Sequence, residues 1–358
     1  MSAIESQLMN FKAFRPFFTP GRVLRDAVTF PKDYYLGDGK TTRFPSIINL
    51  NITTVCNLKC PFCFNMDILG KRTELSTEQM EDIVDQVAAN RGGLFLSGGE
   101  PFARKDIFEI IEHAKSKGVP VGVVTNATLF TREKVQRLYD IGLDVVVISF
   151  HGTEEAHDKA VLMKGAYKKT LQALKWFAEI FPSPGPMINY VLTEHSIPHM
   201  SDFFKEIGDI PNVAKRLSHL NFVTPDEAKA NETYWMEKFG EAPQLLQYEY
   251  HPSDRMYEPI IQQLERNPEI FTKPVINREE MKTWYSDRFD LKRRCVFIWK
   301  STFINSDGDM YPCQFLMMKM GNIKEHSIEE LWNGEKYRRF RALLREGLTP
   351  GCARCCKL

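Results

Sequence analysis

The apolar positions of this chain change period repeatedly along its first two thirds. Ile47–Thr53 (IINLNIT) alternates apolar and polar residues, the period of a half-buried strand. Ser76–Asn90 switches to helical spacing, with Ser76 and Gln79 placed as a capping box. Leu94–Ser97 predicts a second short strand, Asp106–Lys117 a helix closed by Gly118, and Val119–Thr125 a third strand. Arg132–Ile141 predicts a helix closed by Gly142. Val145–Phe150 (VVVISF) is apolar without alternation, as in a parallel strand covered on both faces. Tyr167–Ile180 predicts another helix. Met187–Thr193 and Leu217–Val223 supply the fifth and sixth strands, with a helix around Met200–Ile207 between them. Six strands joined by helices imply a parallel sheet, which either curls toward a barrel or winds both ways. No internal repeat or low-complexity tract interrupts the pattern.

The rhythm breaks near Pro225. The segment 225–290 is rich in aromatic and charged residues and predicts helices and loops. Residues 291–358 form a second, smaller unit with a turn-like NSDGD at Asn305–Asp309. Residues 1–45 predict an arm, in which Phe11, Phe14, Phe17 and Phe18 lie among Lys12, Arg15, Arg22 and Arg25. Such a segment contacts a membrane interface or packs against the barrel, and packing is the expectation. The divisions expected are therefore 1–45, 46–224, 225–290 and 291–358.

Composition narrows the class. The chain has 358 residues, 43% hydrophobic and 26% charged, enough for a full core without disulfides. A net charge of +1 argues against a general polyanion binder, so no nucleic-acid partner is expected. No apolar run reaches the roughly 18 residues of a transmembrane helix. The N-terminus lacks the apolar run of a signal peptide, so a cytoplasmic protein is expected.

The cysteines carry the chemistry. They are Cys56, Cys60, Cys63, Cys295, Cys313, Cys352, Cys355 and Cys356, with none between Cys63 and Cys295. Clustering of this kind in a large chain favours metal over a disulfide framework or scattered buried thiols. Cys56-x3-Cys60-x2-Cys63 follows directly after the first strand, and loops after parallel strands form the active face of a barrel. Three thiolates on one loop do not complete a tetrahedral zinc site. They can bind three irons of a 4Fe–4S cluster and leave the fourth open to a substrate or cofactor. Zinc would need a His or a remote Cys to complete the set.

CNLKCPFC at 56–63 resembles the signature of the radical S-adenosylmethionine (radical SAM) superfamily, with the aromatic Phe62 before the last cysteine. SGGEP at 97–101 ends the second strand, where that family carries a Gly-Gly-Glu motif. VTNAT at 124–128 ends the third strand and SFHG at 149–152 the fourth. Ala127 stands where the family usually has glycine. These matches span roughly residues 46–223. Cys295-x12-Gly308-x4-Cys313, followed by Cys352-x2-Cys355, resembles the auxiliary-cluster pattern of the twitch subdomain, the shorter relative of the SPASM domain. MGNIKEHSIEELWN at 320–333 resembles the segment after its second cysteine.

The resemblance implies a partial (β/α)6 TIM-like barrel with a small C-terminal twitch/SPASM-like cluster domain. It implies S-adenosylmethionine as cofactor, a 4Fe–4S cluster on Cys56, Cys60 and Cys63, and an auxiliary 4Fe–4S cluster on Cys295, Cys313, Cys352 and Cys355. A four-cysteine zinc site is the other reading of the second set. Cys356 is left over as an alternative ligand, an inert thiol or a hydrogen donor to a substrate radical. Glu100 would accept hydrogen bonds from the cofactor's amine. Gly98 and Gly99 would admit backbone close to it, unless they only form a turn. Phe62 would wall the adenine. Asn126 and Ser149 would bond ribose hydroxyls or the carboxylate, unless Ser149 merely starts a solvated loop. Lys159, Lys164 and His151 are candidates to pair that carboxylate.

By the same resemblance the chain is an oxidoreductase fed by a flavodoxin- or ferredoxin-type donor. S-adenosylmethionine is cleaved to methionine and a 5′-deoxyadenosyl radical, which removes a hydrogen from a small-molecule substrate. The auxiliary cluster would take a further electron to complete a dehydrogenation, while epimerisation and crosslinking use the same parts. A peptide-modifying enzyme is the alternative, although the 45-residue arm is short for the winged-helix leader domain such enzymes often carry. The third reading is a non-catalytic iron–sulfur or zinc protein, against which SGGEP counts.

Overall fold

The computed structural model describes residues 14–63, 69–70, 73–182, 185–245, 248–249, 257–266, 270–286 and 293–357. Six strands follow the expected rhythm: β1 (Ile47–Thr53), β2 (Gly93–Gly98), β3 (Val121–Thr125), β4 (Val145–Phe150), β5 (Met187–Leu192) and β6 (Ala214–His219). Helices α2 (Thr77–Ala89), α3 (Ile107–Ser116), α4 (Arg132–Ile141), α5 (Glu154–Val161), α6 (Ala166–Ile180) and α7 (Met200–Glu206) connect them, after α1 (Pro20–Pro31). The Ser76/Gln79 capping box forms, and Gly118 and Gly142 take the left-handed backbone (φ +71° and +83°) that ends α3 and α4.

Strand alternation sorts side chains onto two faces. Ile48, Leu50 and Ile52 of β1, Ile188, Tyr190 and Leu192 of β5, and Leu217 of β6 join the core beneath the helices, with Met80, Ile83, Ile110, Ile111, Val135 and Leu138. The intervening residues, Asn49, Asn51, Asn189, Arg216 and Ser218 among them, face the lumen of the partial barrel. Its floor, at the first residues of the strands, is apolar: Val145, Val147, Met187 and Ala214 pack around Phe17. Phe17 is 1% exposed, and a Cβ on Gly93 would lie 2.8 Å from its ring. The arm therefore packs against the barrel, as expected, although Phe18 is 44% exposed; Phe11 and Lys12 lie outside the described residues.

The sheet is wider than the sequence pattern indicates. β6 begins at Ala214, three residues before the expected sixth strand, because outward-facing Lys215, whose ammonium lies over the Phe204 ring, and lumen-facing Arg216 read as loop in an apolar count. Phe222–Val223 is a separate strand, β7, beside β9 (Tyr248–Glu249); β8 is Gln244–Leu245. The 225–290 segment does more than supply the helices α8 (Pro225–Phe239), α9 (Tyr257–Arg266) and α10 (Arg278–Trp284). Its strand β10 (Phe271–Lys273) pairs in parallel with β6. On the other side β11 (Ser301–Ile304) pairs in parallel with β1, Ile47 opposite Ser301. Beyond it, β12 (Asp309–Tyr311) and β14 (Gly321–Asn322) add antiparallel edges; β13 is Leu316–Met317. The expected NSDGD turn joins β11 to β12, with Gly308 at φ +90°. Helices α11 (Ile328–Trp332) and α12 (Glu335–Glu346) complete the C-terminal unit. Among the described residues no helix is long and apolar enough to cross a membrane.

Candidate functional site

The loop after β1 is fixed at several points. Thr53 Oγ1 and Thr54 N both donate to Glu74 Oε1, at 2.6 and 2.8 Å. Leu58 packs on Val161 and Ala166, with Cys56 and Cys60 against that cluster. Gly99 N donates to Thr53 O and Glu100 N to Val55 O, both at 2.8 Å. A Cβ on Gly98 would sit 2.3 Å from Thr53 O, and one on Gly99 2.2 Å from Val55 O. The two glycines thus let the cysteine loop close onto the end of β2, and their backbone φ of +137° at Gly98 is open to glycine.

Glu100 ends in a cradle of donors. Thr125 Oγ1 (2.7 Å) and Phe102 N (3.1 Å) donate to its Oε1, and Asn126 N (2.8 Å) to its Oε2. The residue is 1% exposed, and burial pushes its carboxyl up to about 7 against the pull of those three bonds. Among the described residues no cationic side chain pairs with it. A buried carboxylate held by neutral donors and lacking a cation is suited to an ammonium ligand. Asn126 also donates from Nδ2 to Asn57 Oδ1 (3.0 Å), and Asn57 Nδ2 donates to Thr128 Oγ1 (2.7 Å), so the third-strand motif grips the cysteine loop directly. Ala127, at φ +57°, occupies the left-handed conformation that explains glycine at this place.

Phe62 stands edge-on to His151, ring centroids 4.7 Å apart. His151 N donates to His157 Nδ1 at 3.3 Å, and the two rings stack at 5.6 Å. Burial pulls His151 down to about 3, with the neighbouring His157 adding to it, and His157 down to about 4. His151 is therefore a neutral ring near neutral pH and cannot serve as a cation for a carboxylate. Lys159 and Lys164 are exposed. Ser149 lies beside Asn189 in register at the end of β4.

Both cysteine sets suit thiolate ligation. Cys56, Cys60 and Cys63 lie close enough for their charges to act on one another. Burial raises the Cys56 thiol and pushes Cys60 up to about 12. In the C-terminal unit the charge of Cys295 acts on Cys313 and Cys352, and that of Cys313 acts on Cys352 and Cys355. Burial pushes Cys313 to about 11 and Cys352 to about 12. Leu58 N donates to Cys56 Sγ (3.4 Å), Leu316 N to Cys313 Sγ (3.3 Å) and Lys357 N to Cys355 Sγ (3.4 Å), the kind of bond that tunes a cluster's sulfurs. Among the described residues no three His, Cys, Asp or Glu side chains converge to hold a single metal ion. A 4Fe–4S cube takes its thiolates at separate corners and requires no such convergence.

Cys356 is set apart from that group. Its backbone N donates to Asn221 Oδ1 (2.7 Å) just past β6. Its thiol is held below the ordinary range by a hydrogen bond with Cys355 and by Lys273, Lys357 and Arg216. Arg354, fully buried between the cysteines, donates to Trp284 O and Ser286 O at 2.6 Å and to Glu227 Oε2 at 2.5 Å. The tail is thereby fixed beside the lumen.

Comparison with known proteins agrees with this arrangement. The radical SAM superfamily model matches residues 50–204, and the SPASM model, an iron–sulfur cluster-binding domain, matches residues 295–356. The chain carries a radical SAM domain followed by a SPASM domain. As a radical SAM enzyme it takes S-adenosylmethionine and a 4Fe–4S cluster, with auxiliary iron–sulfur chemistry in its SPASM domain. It is 28% identical over 317 residues to a PqqA peptide cyclase of Bradyrhizobium diazoefficiens, covering 84% of this chain and 77% of that protein. It is 27% identical over 314 residues to an AdoMet-dependent heme synthase of Methanosarcina barkeri, covering 84% of this chain and 86% of that protein. Streptococcus suis SuiB shares the fold, with a TM-score of 0.60 at 18% identity over 90% of this chain and 73% of that one.

Two contributors to this radical SAM site escaped the sequence reading. Thr125, inside the VTNAT motif, bonds Glu100, and Asn57, inside the cysteine motif, bonds Asn126 and Thr128. Both lay within quoted motifs, and only the partner geometry singles them out.

Proposed function

We propose that this radical SAM enzyme is an oxidoreductase that dehydrogenates a substrate group lodged in the barrel lumen. The observation that carries this reading is the docking of the cysteine-rich tail at the lumen, through Cys356 N and Asn221; an auxiliary cluster held by that tail would stand beside the chamber. Bound cluster and S-adenosylmethionine supply a 5′-deoxyadenosyl radical on reduction. Cys56, Cys60 and Cys63 would hold the cluster, and Glu100 would accept the cofactor's amine hydrogens. Phe62, braced by His151, would wall the adenine, with Asn126, Ser149 and the Gly98-Gly99 turn around the remaining polar groups. Phe17 and its neighbours seal the floor against water, which protects a reactive site. Cys295, Cys313, Cys352 and Cys355 would hold the auxiliary cluster, and a flavodoxin- or ferredoxin-type protein in the cytoplasm would deliver electrons.

The relatives favour a second reading alongside the small-molecule one, since one is named a peptide cyclase and SuiB has been crystallised with its precursor peptide. The test is reconstituted enzyme with S-adenosylmethionine, a reductant, and either a precursor peptide or an iron porphyrin. Release of 5′-deoxyadenosine that disappears in the Cys56→Ala, Cys60→Ala, Cys63→Ala variant supports the first cluster assignment. A product lighter by a pair of hydrogens supports dehydrogenation. Deuterium uptake at constant hydrogen count, abolished by Cys356→Ala, would replace it with epimerisation.

A further inference from the structure

We propose that the lumen wall formed by β5, β6 and β10 is a carboxylate-binding station that holds an anionic group of the substrate. It rests on the lumen being the substrate chamber. Asn189 pairs with Arg216 in register, and Ser218 with Lys273. These side chains share the face opposite Ile188, Tyr190 and Leu217, which belong to the outer core.

Arg216 is 9% exposed, on the third residue of a six-residue strand. Its Nε donates to Asn189 Oδ1 at 3.0 Å, and Ser218 Oγ donates to the same oxygen at 2.6 Å. One edge of the guanidinium is thus pinned, and its terminal nitrogens make no other bond among the described residues. Lys273 stands on the adjoining strand. The positive charges acting on it are Lys357 and Arg216; the thiols of Cys356 and Cys355 oppose them. Lys357 Nζ lies over the Phe297 ring, 4.9 Å from its centroid. Among the described residues no Asp or Glu pairs with any of the three cations.

Gathering three cations in a half-buried space costs free energy unless an anion joins them. The strain is visible at Lys273, whose ammonium is brought down to about 7 by Lys357, burial and Arg216. Cys356 offers one thiol against three cations, and Cys355 belongs to the auxiliary set. A carboxylate can accept the guanidinium's two terminal N–H groups in a fork and meet the Lys273 ammonium from the side. β6 lies across the barrel from β1, with β2 to β5 between them along the sheet. A group anchored here would therefore extend from the far wall toward the cysteine loop.

The test uses reconstituted holoenzyme and calorimetric titration with glutarate, its neutral analogue glutaramide, and a doubly blocked peptide carrying one Glu or one Gln. Glutarate is expected to bind at least roughly tenfold more tightly than glutaramide. Lys273→Gln and Arg216→Lys should each weaken glutarate by about tenfold or more, with fold checked by circular dichroism and iron content. Tighter binding of the Glu peptide than of glutarate assigns the carboxylate to a polypeptide side chain, and the reverse assigns it to a free acid; either supports the station. Equal binding of glutarate and glutaramide to the unaltered protein overturns it. So does unchanged glutarate binding in Lys273→Gln alongside a shifted auxiliary-cluster potential, which would make the cations servants of the cluster. Failure to bind glutarate while 5′-deoxyadenosine is still released sinks the station alone, whereas absence of 5′-deoxyadenosine sinks the proposed chemistry.

Discussion

Glu100→Gln separates what the buried carboxylate costs the fold from what it gives the ligand. The carboxyl is lifted from 4.5 to about 7 by burial, which corresponds to roughly 3 kcal/mol of penalty once it is fully ionised. A raised carboxyl penalises only the charged form. The penalty is therefore absent below pH 4.5 and complete above about 7. Glutamine keeps an oxygen for Thr125 and Phe102 but turns an NH2 toward Asn126 N, leaving that donor unmatched. An unmatched buried donor costs about 1–3 kcal/mol at any pH. The cofactor-free variant should thus be less stable than the parent at acid pH and equal or more stable at about pH 8, a swing of roughly 3 kcal/mol. Denaturant unfolding across this range measures it. In the reconstituted enzyme the same substitution removes a charge-assisted bond to an ammonium, about 1.5–3 kcal/mol, or roughly 10- to 150-fold in S-adenosylmethionine affinity by calorimetry. A stability difference that stays flat with pH would refute the burial argument, and unchanged affinity would refute the ligand assignment.

Phe17→Ala should cost about 3–5 kcal/mol of unfolding free energy, because its ring fills the barrel floor against Gly93 and Phe95. A loss under about 1 kcal/mol would show that the floor does not need it. Gly99→Ala should displace the cysteine loop, since the new Cβ would lie 2.2 Å from Val55 O and 3.1 Å from Cys56 Cβ. Iron analysis should then show the first cluster depleted and the auxiliary one retained, and equal retention of both would contradict this.

The parallel strands and the mouth motifs were legible because they sit on the outer face of the barrel or at strand ends, where apolar period and turn chemistry speak plainly. β1 and β4 match their expected limits residue for residue. The misreadings have separate causes. Lumen positions of a barrel enclosing a polar chamber break the apolar signal, so Arg216, next to the outward-facing Lys215, concealed the start of β6. β10 and β11 are short strands of three and four residues that join β6 and β1 from distant sequence. Such pairing is fixed by tertiary contact, and local pattern does not encode it. Thr125 was hidden differently: a threonine at the end of a β-strand is unremarkable until its hydroxyl is found 2.7 Å from a buried carboxylate.

The same long-range pairing brings segments carrying two cysteine sets, far apart in sequence, to one barrel. On one side of the barrel β11 adds to β1, and Asn51 Nδ2 donates to Asn305 Oδ1 at 2.9 Å while Leu75 N donates to Ser306 O at 2.7 Å. Cys295 precedes that strand and Cys313 follows the hairpin. On the other side the tail bearing Cys352 and Cys355 is fixed near β6 by Asn221 and by the Arg354 contacts to Glu227, Trp284 and Ser286. The four thiols proposed as auxiliary ligands therefore lie on segments fixed to both flanks of the opening, where Cys352 packs in one cluster with Cys295 and Cys313. A cluster bound there would bind folded protein far better than unfolded chain, so it would stabilise the closed arrangement by linkage. It would act as a clasp across the lumen as well as a redox centre, holding Cys356 and the Arg216–Lys273 wall in place beside the substrate.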